Sequence, residues 1–150
     1  MKKFEFRLQT VLKLRQQQED QKKRVVGSFL AEINELQREA VEMAQAVSEQ
    51  GQVLQRYING DVDVNWITYY HGYVTNMRRS ISEKIEEVAK VQQKLIQARQ
   101  ELTEAARQTR ILEKFKERLK DRHDRELKKI EAREMDEIGN QLFQPSRNTA

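Results

Sequence analysis

Apolar residues recur along this chain at alternating steps of three and four. From Leu12 the walk passes Arg15, Glu19, Lys22, Val26, Phe29, Ile33, Leu36, Ala40, Met43, Val47, Gln50, Leu54 and Tyr57, and ten of these fourteen positions are apolar. A stripe that repeats every 3.5 residues over such a length keeps facing one partner only if the helix supercoils, so the pattern predicts a coiled-coil helix over about 5–58.

A second walk starts at Ile67 and continues through Tyr70, Val74, Met77, Ile81, Lys84, Val88, Val91, Leu95, Ala98, Leu102, Ala105, Thr109 and Leu112. Between the two stripes lies Asn59-Gly60-Asp61-Val62-Asp63-Val64-Asn65, which gathers the residue types that end and restart helices. A turn over 59–65 folds the second helix, about 66–138, back on the first. Opposed residues then have numbers that add to 124, so that Ile33 faces Val91, Val47 faces Met77 and Leu12 faces Leu112. The predicted fold is all-α, a long two-helix antiparallel coiled-coil hairpin whose C-terminal helix overhangs the first. The hairpin occupies 1–138, Gly139 is the expected helix cap, and 139–150, with Pro145, reads as a flexible tail.

Three neighbouring layers break the apolar rule: Lys22 with Leu102, Glu19 with Ala105, and Arg15 with Thr109. Polar seam positions weaken a coiled coil while fixing its register, so a soft joint is expected there. Past Leu119 the second helix has no counterpart in the first, yet Leu127, Ile130, Met135 and Ile138 continue at helical spacing.

Composition narrows the class. Of 150 residues 37% are hydrophobic and 35% charged, with five Gly, one Pro and no Cys. This suits an exposed coiled coil rather than a compact core, and no disulfide or thiolate chemistry is available. No signal peptide is visible, and no apolar run approaches the roughly 20 residues that span a bilayer. The net charge of +4 is unevenly spread. Residues 1–25 and 107–133 are each net +5, whereas 26–106 is net −4, so a basic open end joins an acidic shaft.

No catalytic, metal or cofactor-binding residue is expected. His71 and His123 are isolated from any ligand-spaced partner, and His123 reads as a solvated helix position. Two places carry apolar surface beyond the needs of the seam. Trp66, Tyr69 and Tyr73 form one stripe beside the seam at the tip, which either binds a partner or folds over the turn. Val11, Leu14, Ile111 and Phe115 crowd the open end behind Phe4 and Phe6, although Leu30, Val41, Ile85 and Ile96 also lie off the seam in the middle.

The phrase Phe4-Glu5-Phe6-Arg7-Leu8-Gln9-Thr10-Val11-Leu12-Lys13-Leu14-Arg15, the tip with Trp66 and its tyrosines, and the basic stretch Leu112-Glu113-Lys114-Phe115-Lys116-Glu117-Arg118 resemble the flagellar export protein FliJ family. The resemblance covers nearly the whole chain. It implies a cytoplasmic protein, peripherally associated with the inner face of the cell membrane at the flagellar base. It implies a stalk-like coiled coil that assembles and activates the hexameric export ATPase (FliI), couples it to the cytoplasmic domain of the export-gate membrane protein (FlhA), and escorts export chaperones. On that basis Leu8, Leu12, Arg15, Phe115 and Arg118 are expected to meet the ATPase. Leu54, Tyr57, Trp66, Tyr69, Tyr70 and Tyr73 are expected to meet the gate.

Other readings stand beside this one. A virulence-type secretion stalk would share the same pattern, a generic scaffold would dimerise through the overhang, and a binder of nucleic acid or anionic lipid would use the basic end and lose affinity with salt. The interleaving of acids among those bases disfavours nucleic acid.

Overall fold

A computed structural model describes residues 3–58 and 64–143, with the side chains of Tyr57 and Ile58 outside the description. Two helices account for nearly all of it: α1, Gln9–Ile58, and α2, Val64–Phe143. They pack against one another, and no strand occurs among the described residues. The stretch 59–63, which holds most of the expected turn, and the tail segment 144–150 lie outside the described residues.

The buried positions are the predicted seam. Along α1, Leu12, Ile33 and Leu36 are buried; along α2, Val91, Leu95, Ala98 and Thr109 are. Nearly every other described seam residue is half-buried, the departures being Gln50 and Ile67, which are exposed close to the expected tip. Polar contacts between the helices fix the register. Arg15 Nη1 donates to Gln108 Oε1 at 2.7 Å, Lys22 Nζ to Glu101 Oε2 at 2.9 Å, and Lys84 Nζ pairs with Glu39 Oε2 at 2.6 Å. In each pair the residue numbers add to 123, one short of the seam register, as expected when a seam residue reaches the neighbour flanking its partner.

The chain divides into two compact units: Met1–Glu19 with Ala105–Ala150, and Asp20–Glu104. The division falls in the predicted polar layers, at Glu19 on α1 and Ala105 on α2. In the larger unit Ile33, Leu36, Val91 and Leu95 form the core, with Val26, Phe29 and Val88 packed on it. Burying each of the four core side chains contributes roughly 1.5–3 kcal/mol before conformational entropy is subtracted, and the partly buried three contribute less.

In the smaller unit the seam is finished by different means. Thr109 is 3% exposed and turns its hydroxyl back onto the Ala105 carbonyl at 3.1 Å, so a polar side chain is buried with its donor satisfied.

Helix ends differ from expectation in three places. The first helix starts at Gln9 rather than near residue 5, because Phe6 is buried beside Phe115 and holds 3–8 out of the helix. The Gln9 amide donates to the Phe6 carbonyl at 3.1 Å and opens the first turn. Val64 and Asn65 are already helical, and Thr68 returns its hydroxyl to the Val64 carbonyl at 3.0 Å. At the other end α2 runs through Gly139 to Phe143. No described glycine has the positive φ that a glycine cap uses, so Gly139 is an interior residue rather than a stop.

Candidate functional site

Two exposed surfaces have a chemistry beyond that of a coiled-coil seam, one in each unit.

In the smaller unit the segment 3–8 lies along α2 and leaves a groove of about 700 Å³, lined by Phe4, Phe6, Leu8, Phe115, Leu119 and His123 together with the charged residues Lys3, Glu5, Arg7, Arg122 and Glu126. Phe6 forms the floor, its ring centroid 6.0 Å from that of Phe115 at 59°. Lys116 Nζ stands 6.0 Å from the Phe6 centroid and donates to Gln9 Oε1 at 2.8 Å, tying the segment to both helices. Phe4 sits 5.7 Å from the His123 ring. His123 is therefore half-buried under an aromatic ring instead of solvated, because the segment that covers it is not helical. Its Nδ1 has no hydrogen-bond partner among the described residues.

The five residues expected to meet the ATPase all fall in this unit, with unequal access. Leu8 and Phe115 are exposed at 37% and 43%, and Arg118 lines an adjoining hollow with Phe115, Leu119 and Arg122. Leu12 is 3% exposed and holds the helices together beneath that surface. Arg15 is half-buried and engaged with Gln18 and Gln108.

In the larger unit Trp66 and Tyr70 stack at 5.9 Å with 9° between their planes. With Gln50, Tyr69 and Tyr73 they enclose a hollow of about 110 Å³. Tyr70 is a seam residue, and its hydroxyl lies where a Cβ on Gly51 would come within 3.2 Å, so the absence of a side chain there lets the ring settle. The aromatic stripe is divided: Trp66 and Tyr73 are half-buried, while Tyr69 is 73% exposed. Leu54 is half-buried nearby, and the side chain of Tyr57 lies outside the described residues.

Among the described residues no group of three or more His, Asp or Glu is arranged to hold a metal ion, and no helix is long and apolar enough to cross a membrane. Ionisable groups form surface pairs. Arg38 bridges Glu35 one turn before it and Glu42 one turn after it on α1, and its hydrogen bond holds the Glu35 carboxyl below the ordinary value. Hydrogen bonds from Lys22 and then Gln97 do the same for Glu101.

The family model for the Flagellar FliJ protein matches residues 4–148. The chain belongs to the FliJ family. It is thus a component of the flagellar export apparatus, and the all-α hairpin expected of a FliJ protein is the architecture observed. No curated protein and no solved structure is matched at a significant level. What the sequence did not reveal is the strap formed by residues 3–8. Its signal was the pair Phe4 and Phe6, whose two-residue spacing fits an extended segment and not a helical stripe.

Proposed function

We propose that this FliJ-family chain is a non-enzymatic, central-stalk-like coupling protein of flagellar type III export. Through the smaller unit it binds the hexameric export ATPase FliI and promotes its assembly and turnover. Through the aromatic cluster it contacts the cytoplasmic domain of the export-gate protein FlhA, and it escorts export chaperones while peripherally associated with the membrane. The observation that supports this reading most is the exposed apolar pair Leu8 and Phe115, set among Arg7, Arg118 and Arg122. Aromatic and arginine side chains together are the usual anchors of a protein interface.

The test is steady-state ATP turnover of the same organism's export ATPase, with its oligomeric state followed as the chain is titrated in. Stimulation accompanied by hexamer formation is expected, and Leu8→Asp with Phe115→Asp weakens the apparent affinity by roughly tenfold or more. Undiminished stimulation by that double variant would remove this surface from the reading. For the gate, Tyr69→Ala is the cleaner probe, since Tyr69 is exposed and the Trp66–Tyr70 stack is left in place.

A second reading, a scaffold that dimerises through the overhang, draws on the exposure of Ile130, Met135, Ile138, Leu142 and Phe143. Sedimentation or light scattering separates the two, because a mass that rises with concentration supports the scaffold and a constant monomer mass rejects it.

A further inference from the structure

We propose that one flank of the larger unit is a docking face for a third helix, an amphipathic helix of a partner protein that is acidic along its edges. The inference does not rest on the assignments made for the ATPase or the gate.

The two flanks of the Asp20–Glu104 unit differ in kind. Residues that immediately precede seam positions carry the acids Glu35, Glu39, Glu42, Glu83, Glu87 and Glu101, and the ion pairs Lys84–Glu39, Lys22–Glu101 and Arg38 with Glu35 and Glu42 draw on them. Residues that immediately follow seam positions lie on the other flank. In an antiparallel pair these come to one side of both helices, because reversing a helix and turning it to face its partner preserves that side.

On that second flank stand Leu30, Val41, Ile85 and Ile96, exposed at 40%, 54%, 61% and 50%. Single exposed aliphatic residues are ordinary, but these are ordered. Leu30 and Ile96 share one level of the hairpin, and Val41 and Ile85 share another, each pair having the same residue-number sum. The two levels are 11 residues apart, three helical turns or about 16 Å. Between them the flank presents Asn34, Gln37, Ala89 and Gln92, uncharged and exposed. A helix laid along the flank with apolar residues at i, i+4, i+7 and i+11 meets both levels and encounters no buried charge between them.

Charge selects the occupant. In this unit the flank holds three basic residues, Lys23, Arg78 and Arg99, and one acid, Asp20. The guanidinium groups of Arg78 and Arg99 have no carboxylate within ion-pair distance among the described residues. A second copy of this chain is a poor partner: parallel two-fold packing brings Arg99 against Lys23, and antiparallel packing brings it against Arg78. Like charges facing each other disfavour both, whereas acids on the edges of an incoming helix complement Arg78 and Arg99.

The experiment uses the full chain and two designed helical peptides of roughly 25 residues, long enough to span both levels. They share one apolar stripe and differ only in carrying Glu or Lys along its edges. Fluorescence anisotropy is expected to show the Glu-edged peptide binding at least tenfold more tightly than the Lys-edged one, with affinity falling as salt rises. Ile85→Gln with Ile96→Gln should weaken it tenfold, Arg78→Glu with Arg99→Glu should invert the preference, and Glu35→Gln on the other flank should change nothing. Helicity measured in parallel keeps loss of binding separate from loss of fold, since all these side chains are exposed. Equal binding of the two peptides, no binding of either, or a preference unmoved by the charge reversal overturns the proposal. A concentration-dependent dimer dissociated by the isoleucine substitutions also overturns it, in favour of a second copy.

Discussion

Phe6 packs its ring 6.0 Å from that of Phe115, and this contact, beside that of Phe4 with His123, joins the non-helical segment 3–8 to the basic stretch of α2. Because Phe6 is the only buried apolar residue described ahead of α1, its removal should free the segment without melting the coiled coil. Phe6→Ala is expected to speed amide exchange from Gln9 to Leu12 and to open the Arg7 backbone to trypsin, with Trp66 fluorescence unchanged. Phe6→Leu should restore most of the protection, since an apolar side chain of similar reach still fills the site. Equal exchange in wild type and Phe6→Ala would mean that the segment is not held by this contact.

Seam and flank should separate in a stability measurement. Leu95 is in the core of the larger unit, and Leu95→Ala removes packing that its neighbours Ile33, Leu36 and Val91 cannot refill, so a cost of about 2–5 kcal/mol is expected. Ile85 is 61% exposed one step off the seam, and Ile85→Ala should change stability by no more than about 0.5 kcal/mol. Chemical denaturation of the two variants decides it, and similar losses in both would mean that Ile85 is packed.

Gly27 and Gly51 are both interior to α1, where replacing Gly by Ala gains up to about 1 kcal/mol of helix propensity. At Gly27 nothing lies within 4 Å of an added Cβ, so the gain should appear in full as a higher unfolding midpoint. At Gly51 the Cβ meets the Tyr70 hydroxyl at 3.2 Å, and the ring must move to admit it. Gly51→Ala should therefore gain less than Gly27→Ala and should alter Trp66 fluorescence through the Trp66–Tyr70 stack. The same gain at both sites, with unaltered fluorescence, would mean that Tyr70 is free to give way.

The seam was legible because burial follows a fixed period. Leu12, Ile33, Leu36, Val91, Leu95 and Ala98 could be picked out by spacing alone, and the register followed from where the two stripes approach the Asn-Gly-Asp turn signal. Features that depend on long-range contact were not legible. The strap exists because Phe6 finds Phe115 more than a hundred residues away, and no local rule places that partner. Gly139 looked like a stop, yet the residues around it, Glu137, Ile138, Gln141 and Leu142, are compatible with helix, and α2 continues through them. The site residues were only half legible for the same reason. Spacing put Leu12 in the seam, and composition located an aromatic cluster and a basic, apolar end, but neither revealed that Leu8 is exposed, or that Tyr69 stands out from a stack made by Trp66 and Tyr70.

The surface pairs predict how stability responds to pH. Hydrogen bonds lower the Glu35 carboxyl through Arg38 and the Glu101 carboxyl through Lys22 and Gln97, so both are more acidic folded than unfolded. Their contribution is present above the ordinary carboxyl value of 4.5 and is lost as pH falls through the lowered folded values. Lys84 is raised from its ordinary 10.5, chiefly by its hydrogen bond with Glu39, so its contribution is present below that value and is lost as pH rises through the raised one. A plateau in melting temperature between about pH 5 and 10 is expected, falling away on both sides. Glu35 and Glu101 are solvent-exposed, so the acid-side fall should be shallow and should flatten in about 1 M salt, where the screening length drops to about 3 Å, whereas Lys84 is half-buried in the seam. Glu101→Gln and Glu35→Gln together should lower the plateau slightly and leave the rest of the acid-side profile to other carboxylates. An acid-side fall unchanged in the double variant, with the plateau also unchanged, would mean that neither pair contributes to holding the helices.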